Sequence, residues 1–172
     1  MPTPKQWSSA AELIADMRSC DWQGWFSEGR IKHVNSDWQS IANGAVGANT
    51  FRAFTKLPSR PSVVFREWAY KSLAGGSSRY SGLMAVNSQA EYDKWLKELA
   101  GSFRRRWKRE MGSDIPFGPS LKLPNLLMKC ACLWHEVPKS KSNRLIWYLH
   151  VPLDSYTIQA VRNCTALGGT VA

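Results

Sequence analysis

The chain has 172 residues, enough for one domain with a substantial core and too few for two well-built ones. A hydrophobic content of 44%, including nine Trp, five Tyr and six Phe, excludes global disorder, and no run approaches the roughly 20 apolar residues of a spanning helix. Lys and Arg outnumber Asp and Glu by 23 to 13, and this net charge of +10 favours polyanionic partners, because a cation set against a phosphate releases condensed counterions.

Near the start, Ser9-Ala-Ala-Glu12 is a capping-box pattern that predicts a helix through about Arg18, with Leu13, Ile14 and Met17 on its apolar face. The initial segment lacks a basic start followed by an apolar run, so the expectation is a soluble, cytoplasmic protein. Asp21-Trp-Gln-Gly-Trp-Phe26 is aromatic and broken by glycine, and Ser36 to Thr50 suits a short helix followed by a loop. After Pro58 and Pro61, Ser62 is placed to cap a helix to about Leu73, with Val64, Phe65, Trp68 and Leu73 inward. Glycine and serine then predict an internal loop or hinge from Ala74 to Asn87.

The pattern Ser88-Gln-Ala-Glu91 opens the strongest predicted helix, along which Tyr92, Trp95, Leu96, Leu99 and Phe103 recur at helical spacing. Its far end carries Arg104, Arg105, Arg106, Lys108 and Arg109, interrupted by Trp107, and Gly112 is placed to terminate it. Cations at a helix C-terminus are favourable with its dipole, and the same cluster suits phosphate contacts. Pro119 suits the first turn of a further helix reaching Trp134, close enough to Pro124 to tolerate it or bend. Pro138 to Arg144 is a basic polar loop with Lys139, Lys141 and Arg144, and Leu145 to Val151 suits a short strand or extended connector. Asp154 or Ser155 then caps a final helix to about Leu167. The fold class expected is mainly α, a compact single-domain helical bundle with at most a short extended segment near 145–151.

The four cysteines, Cys20, Cys130, Cys132 and Cys164, are expected to be reduced thiols. Cys130, Cys132 and His135 superficially resemble metal ligands, but the two thiols point to different sides of a helix, so no metal is expected. For His33, His135 and His150 structural roles are expected, His150 being the one beside Val151-Pro-Leu-Asp154.

One stretch has an unusual pattern: Lys122, Asn125 and Lys129 form a polar stripe on an otherwise apolar helix, with Val151-Pro-Leu-Asp-Ser155 downstream. The stripe is either a thin wet face beside an ordinary N-cap or a site. Phe117-Gly-Pro-Ser-Leu-Lys122 together with Val151-Pro-Leu-Asp154 resembles the helix-hairpin-helix DNA glycosylase superfamily of the 8-oxoguanine and endonuclease III type, over about residues 115–165. The resemblance implies a glycine-bearing hairpin before the helix, a nucleophilic amine from Lys122 or Lys129, and assistance from Asp154. An uncharged lysine amine can attack the anomeric carbon of a nucleotide, displace the base and form a Schiff base. Phe117 or Trp134 would stack on the flipped base. The four-cysteine iron-sulphur pattern of one branch is missing, so no cofactor is implied.

Two functions follow as expectations. One is a DNA glycosylase or lyase using Lys122 or Lys129 with Asp154. The other is a non-catalytic DNA- or RNA-binding protein using the Arg104–Arg109 cluster and the Lys139–Arg144 segment. Nucleic acid, DNA in the first place, is the expected partner of both, with an anionic membrane surface a weaker alternative.

Overall fold

In a computed structural model the described residues are 8–19, 37–47, 50–51, 54, 57, 60–74 and 77–150. Among them are seven α-helices: Ala10–Ser19 (α1), Trp38–Gly44 (α2), Pro61–Leu73 (α3), Ser78–Ala85 (α4), Gln89–Met111 (α5), Phe117–Cys132 (α6) and Lys139–Tyr148 (α7). No strand occurs among the described residues, and no helix there is long and apolar enough to cross a membrane.

The spine is α5, and its sequence explains both ends. Ser88 Oγ accepts the Glu91 N–H at 3.2 Å, while the Glu91 carboxylate reaches back to the Asn87 N–H at 2.6 Å. The box thus closes one residue before the N-cap, and α1 does the same with Ser9, Glu12 and Ser8. Gly112 ends α5 in the left-handed region at φ 69°, its N–H returning to the Lys108 carbonyl at 3.0 Å. All five predicted apolar positions are buried, as are Trp107 and Met111.

Helices α3 and α6 pack on α5, and α2 packs on both of them. Between α3 and α5 the core is aromatic: Phe65 meets Phe103 edge-on with centroids 5.7 Å apart, and Trp68 lies 4.6 Å from Phe103. Burying each such ring contributes roughly 1.5–3 kcal/mol, the main reason this face of α3 is held. The α3 apolar face is as predicted, but its cap is not Ser62. Arg60 occupies that position without a side-chain bond and Pro61 starts the helix, because proline presets φ and has no N–H to satisfy.

In α6, Pro124 sits inside the helix and has no N–H to give the preceding turn. Asn125 turns inward there, its Nδ2 donating to the Leu121 carbonyl at 2.9 Å.

Three local expectations are corrected. The supposed hinge at 74–87 contains α4, capped by Ser77 Oγ on the Tyr80 N–H at 3.1 Å and packed through Leu83 on the core. The supposed basic loop and extended segment at 138–151 form α7 as far as Tyr148, with Leu149 extended at its C-cap and Val151 outside the described residues. Ile, Trp and Tyr there favour a strand in isolation, but no strand edge is present among the described residues, and a helix buries Leu145 and Ser142 on one side. Phe117 and Gly118 lie in the first turn of α6, so the α5–α6 turn is Gly112 to Pro116 and the glycine is in no hairpin. On α1, Ile14 is exposed, and the Leu13 and Met17 side chains fall outside the description. The aromatic segment 21–26 and the helix expected after Asp154 also lie outside the described residues.

Candidate nucleic-acid interface

Residues three, four and seven apart share one side of a helix. On α5 this puts Ser102, Arg105, Arg106 and Arg109 together and turns Phe103 and Trp107 into the core. Arg104 and Lys108 fall on another flank, where Lys108 pairs with Asp114 at 3.2 Å. The cationic run is therefore not one patch. Three of its five members face α3.

Opposite them stand Lys71, from the last turn of α3, and Arg79, from the first turn of α4. The five cations surround a cavity of about 320 Å³ floored by Trp68, Ser72 and Ser102. The floor is braced: Trp68 Nε1 donates to Ser102 Oγ at 2.9 Å, and Ser102 Oγ donates to the Leu99 carbonyl at 2.8 Å. Arg79 and Arg105 also border a second hollow of about 540 Å³ with Lys94, Lys97, Glu98 and Gly101. The two share Arg79 and Arg105 and so line one basic strip, the trough, along α5 from Lys94 to Arg109, about 22 Å at about 1.5 Å per residue.

Arg106 joins the two walls, its guanidinium 2.9 Å from Glu67 on α3 and 3.3 Å from Glu110 on its own helix. Glu110 also lies 3.3 Å from Arg109. Arg109 is exposed, whereas Arg106 and Glu110 are half-buried, so the Arg106 pairs also brace α5 against α3. Among the described residues no carboxylate pairs with Lys71, Arg79 or Arg105.

The cations of α7 serve another purpose. Lys141 Nζ donates to the Val86 carbonyl, and Arg144 donates to Asn87 Oδ1 at 2.8 Å. Tyr148 OH donates to the Asn87 carbonyl at 2.8 Å, and His150 Nε2 lies 2.8 Å from Asp93 Oδ1. These contacts fasten α7 across the α4–α5 connection. Burial and then Arg144 push the Lys141 ammonium below its ordinary value, against the opposing pull of Glu91. Lys139 stays exposed at the start of the helix.

The stripe on α6 divides. Lys129 is exposed and Lys122 half-buried, but Asn125 is buried at 7% exposure with its Oδ1 unpartnered. Val151 to Asp154 lie outside the described residues, so the amine–carboxylate geometry has no described counterpart. Phe117 is 76% exposed and open to a base. Trp134 is not: at 4% exposure it packs on Trp38 at 5.4 Å and Tyr80 at 6.3 Å, and stacking on a base would require unpacking the core. Cys130 and Cys132 are buried, and burial pushes both thiols up. Among the described residues no three His, Cys, Asp or Glu side chains are grouped to hold a metal ion.

Of the residues that line the trough, the sequence singles out Arg105, Arg106 and Arg109 as candidates but not Lys71, Arg79, Lys94 or Lys97. Arg79 was hidden in a glycine–serine stretch assigned to a hinge. For the two lysines a signal existed, since Lys94, Lys97, Gly101 and Arg105 repeat at helical spacing along a helix whose buried face was already known.

The chain matches no protein-family model, no curated protein and no solved structure. Fold and site together define a mainly α protein that carries, among the described residues, a basic trough between α3, α4 and α5.

Proposed function

We propose that this chain is a non-catalytic nucleic-acid-binding protein that grips the phosphate backbone in the trough. The observation that carries this reading is the convergence of Lys71, Arg79, Arg105, Arg106 and Arg109, from three separate helices, on one cavity. A solvated basic helix end requires no such convergence. The glycosylase reading gains no comparable support, because Gly118 lies within a helix and Trp134 within the core.

The test is fluorescence anisotropy with labelled DNA and RNA between 50 and 200 mM salt, values that are roughly the range over which backbone contacts separate from others. Replacing Lys71, Arg79 and Arg105 together by alanine is expected to weaken binding at least about tenfold and to flatten the salt slope by about 2. The pair Lys122→Ala and Lys129→Ala is expected to bind as the parent does. Binding that survives the triple change, or that occurs only on anionic vesicles, contradicts the proposal.

A further inference from the structure

What the trough lacks is as informative as its charge. In its Arg109 half the walls oppose one another, Lys71 and Arg79 on one side and Arg105 and Arg109 on the other, while toward Lys94 only Arg79 faces the cations of α5. The tryptophans beneath are committed to the fold. Trp68 is 5% exposed with its N–H on Ser102, and Trp95 is 9% exposed with its N–H on the Arg79 carbonyl at 3.1 Å. Grooves that hold single strands by stacking present aromatic faces to the bases, and among the described residues no ring lining the trough does so.

The row of cations has one internal break. Glu98 lines the trough between Lys94 and Lys97 on one side and Arg105 on the other, where it opposes any phosphate placed beside it. A duplex turns its backbone around a cylinder, so only a short arc of one strand enters a concave trough. A single strand can follow its whole length.

Resting on the trough being the nucleic-acid site, we infer that its occupant is one single strand lying lengthwise along α5, phosphates inward and bases outward, with Glu98 marking a gap between phosphate positions. The span of about 22 Å fits about four nucleotides, the lower end of strand-tracking sites. Contacts confined to phosphates make binding indifferent to base identity. Glu98 then sets register, a part that no cation in the row can play.

The test compares, by anisotropy at low salt, oligothymidylates of increasing length, an abasic sugar–phosphate strand and a duplex. Affinity is expected to climb steeply to about four nucleotides and only gently beyond. The abasic strand should bind within about twofold of thymidylate of equal length, and the duplex about tenfold more weakly. Glu98→Gln should tighten strand binding about threefold, the factor for a unit charge about 6 Å away in water. A duplex that binds as tightly as the strand, an abasic strand about tenfold weaker, or no gain from Glu98→Gln overturns this assignment while leaving the trough as a binding site. If Arg79→Ala and Arg105→Ala alter binding to none of the probes, the underlying reading itself falls.

Discussion

Arg105 and Trp107 are two residues apart on α5 and should respond to alanine in opposite ways. Trp107 is 1% exposed, with its ring 5.0 Å from Phe54 and 5.8 Å from Phe103, both edge-on. Removing so large a buried ring costs about 3–5 kcal/mol through lost transfer energy and the cavity left behind. Each ring pair supplies about 0.5–1.5 kcal/mol of that. Against a total stability of about 5–15 kcal/mol, Trp107→Ala should lower the urea midpoint sharply, read by far-UV circular dichroism because nine tryptophans blur fluorescence. A double-mutant cycle with Phe54→Leu should return a coupling of about 0.5–1.5 kcal/mol. Arg105→Ala, on the exposed side, should move stability by no more than about 0.5 kcal/mol while weakening binding. A Trp107→Ala cost below about 1 kcal/mol, or an Arg105→Ala cost above about 2, would mean that α5 is rotated otherwise, and the allocation of its cations to the trough would go with it.

Three further outcomes probe the frame around the site. Gly112→Ala should cost about 1–2 kcal/mol, because φ is 69° and an added Cβ meets nothing within 4 Å, leaving backbone conformation as the whole penalty; an unchanged urea midpoint would refute this. In a Cys20→Ser, Cys164→Ser background, Cys130 and Cys132 should resist a thiol reagent at mild alkaline pH until urea unfolds the chain, since burial pushes both thiols up; rapid labelling of the native protein would show that α6 opens there. Asp93 is held below its ordinary 3.8 by the Gln89 hydrogen bond first and the His150 bond second. A lowered folded-state value gives stability that is complete above the unfolded value and is lost as pH falls through the folded one. The melting-temperature advantage over Asp93→Asn should therefore be full near neutrality and vanish in strong acid, and an advantage that persisted in acid would assign it to packing instead.

How much of this was legible in the sequence depends on how far apart the cooperating residues lie. Every signal for α5 was local, from the Ser88–Glu91 box through the apolar repeat to Gly112, and the helix formed where those signals stood. Helix α4 has Ser77 as a cap, but its own residues include Gly82 and two serines, Ser78 and Ser81, weak helix formers. Packing against α3 and α5 decides its state, with Gly82 so near Trp95 that an added Cβ would lie 3.3 Å from the indole nitrogen. The two lie within one stretch of chain, yet helix propensity carries no information about a contact between neighbouring helices. For α7, the cations that suggested a loop are the ones that fasten the helix through Val86 and Asn87, about 55 residues upstream.

The same logic separates the two candidate sites. The motif resemblance joins Phe117–Lys122 to Val151–Asp154 along the chain, and the second of these segments lies outside the described residues. Once α6 begins at Phe117, its glycine cannot form a hairpin and its stripe is interrupted by the buried Asn125. The trough depends on a different kind of information: the phase of α5 sends Arg105 and Arg109 toward α3 and Arg104 and Lys108 away from it. Once Phe65 and Trp68 lock onto Phe103, Lys71 is carried into place with α3, and Arg79 is held by the Trp95 N–H on its carbonyl. The aromatic pairing that stabilises the bundle thereby also fixes the width of the basic trough, so substitutions at Phe103 should disturb binding and stability together, whereas substitutions at Arg79 should disturb binding alone.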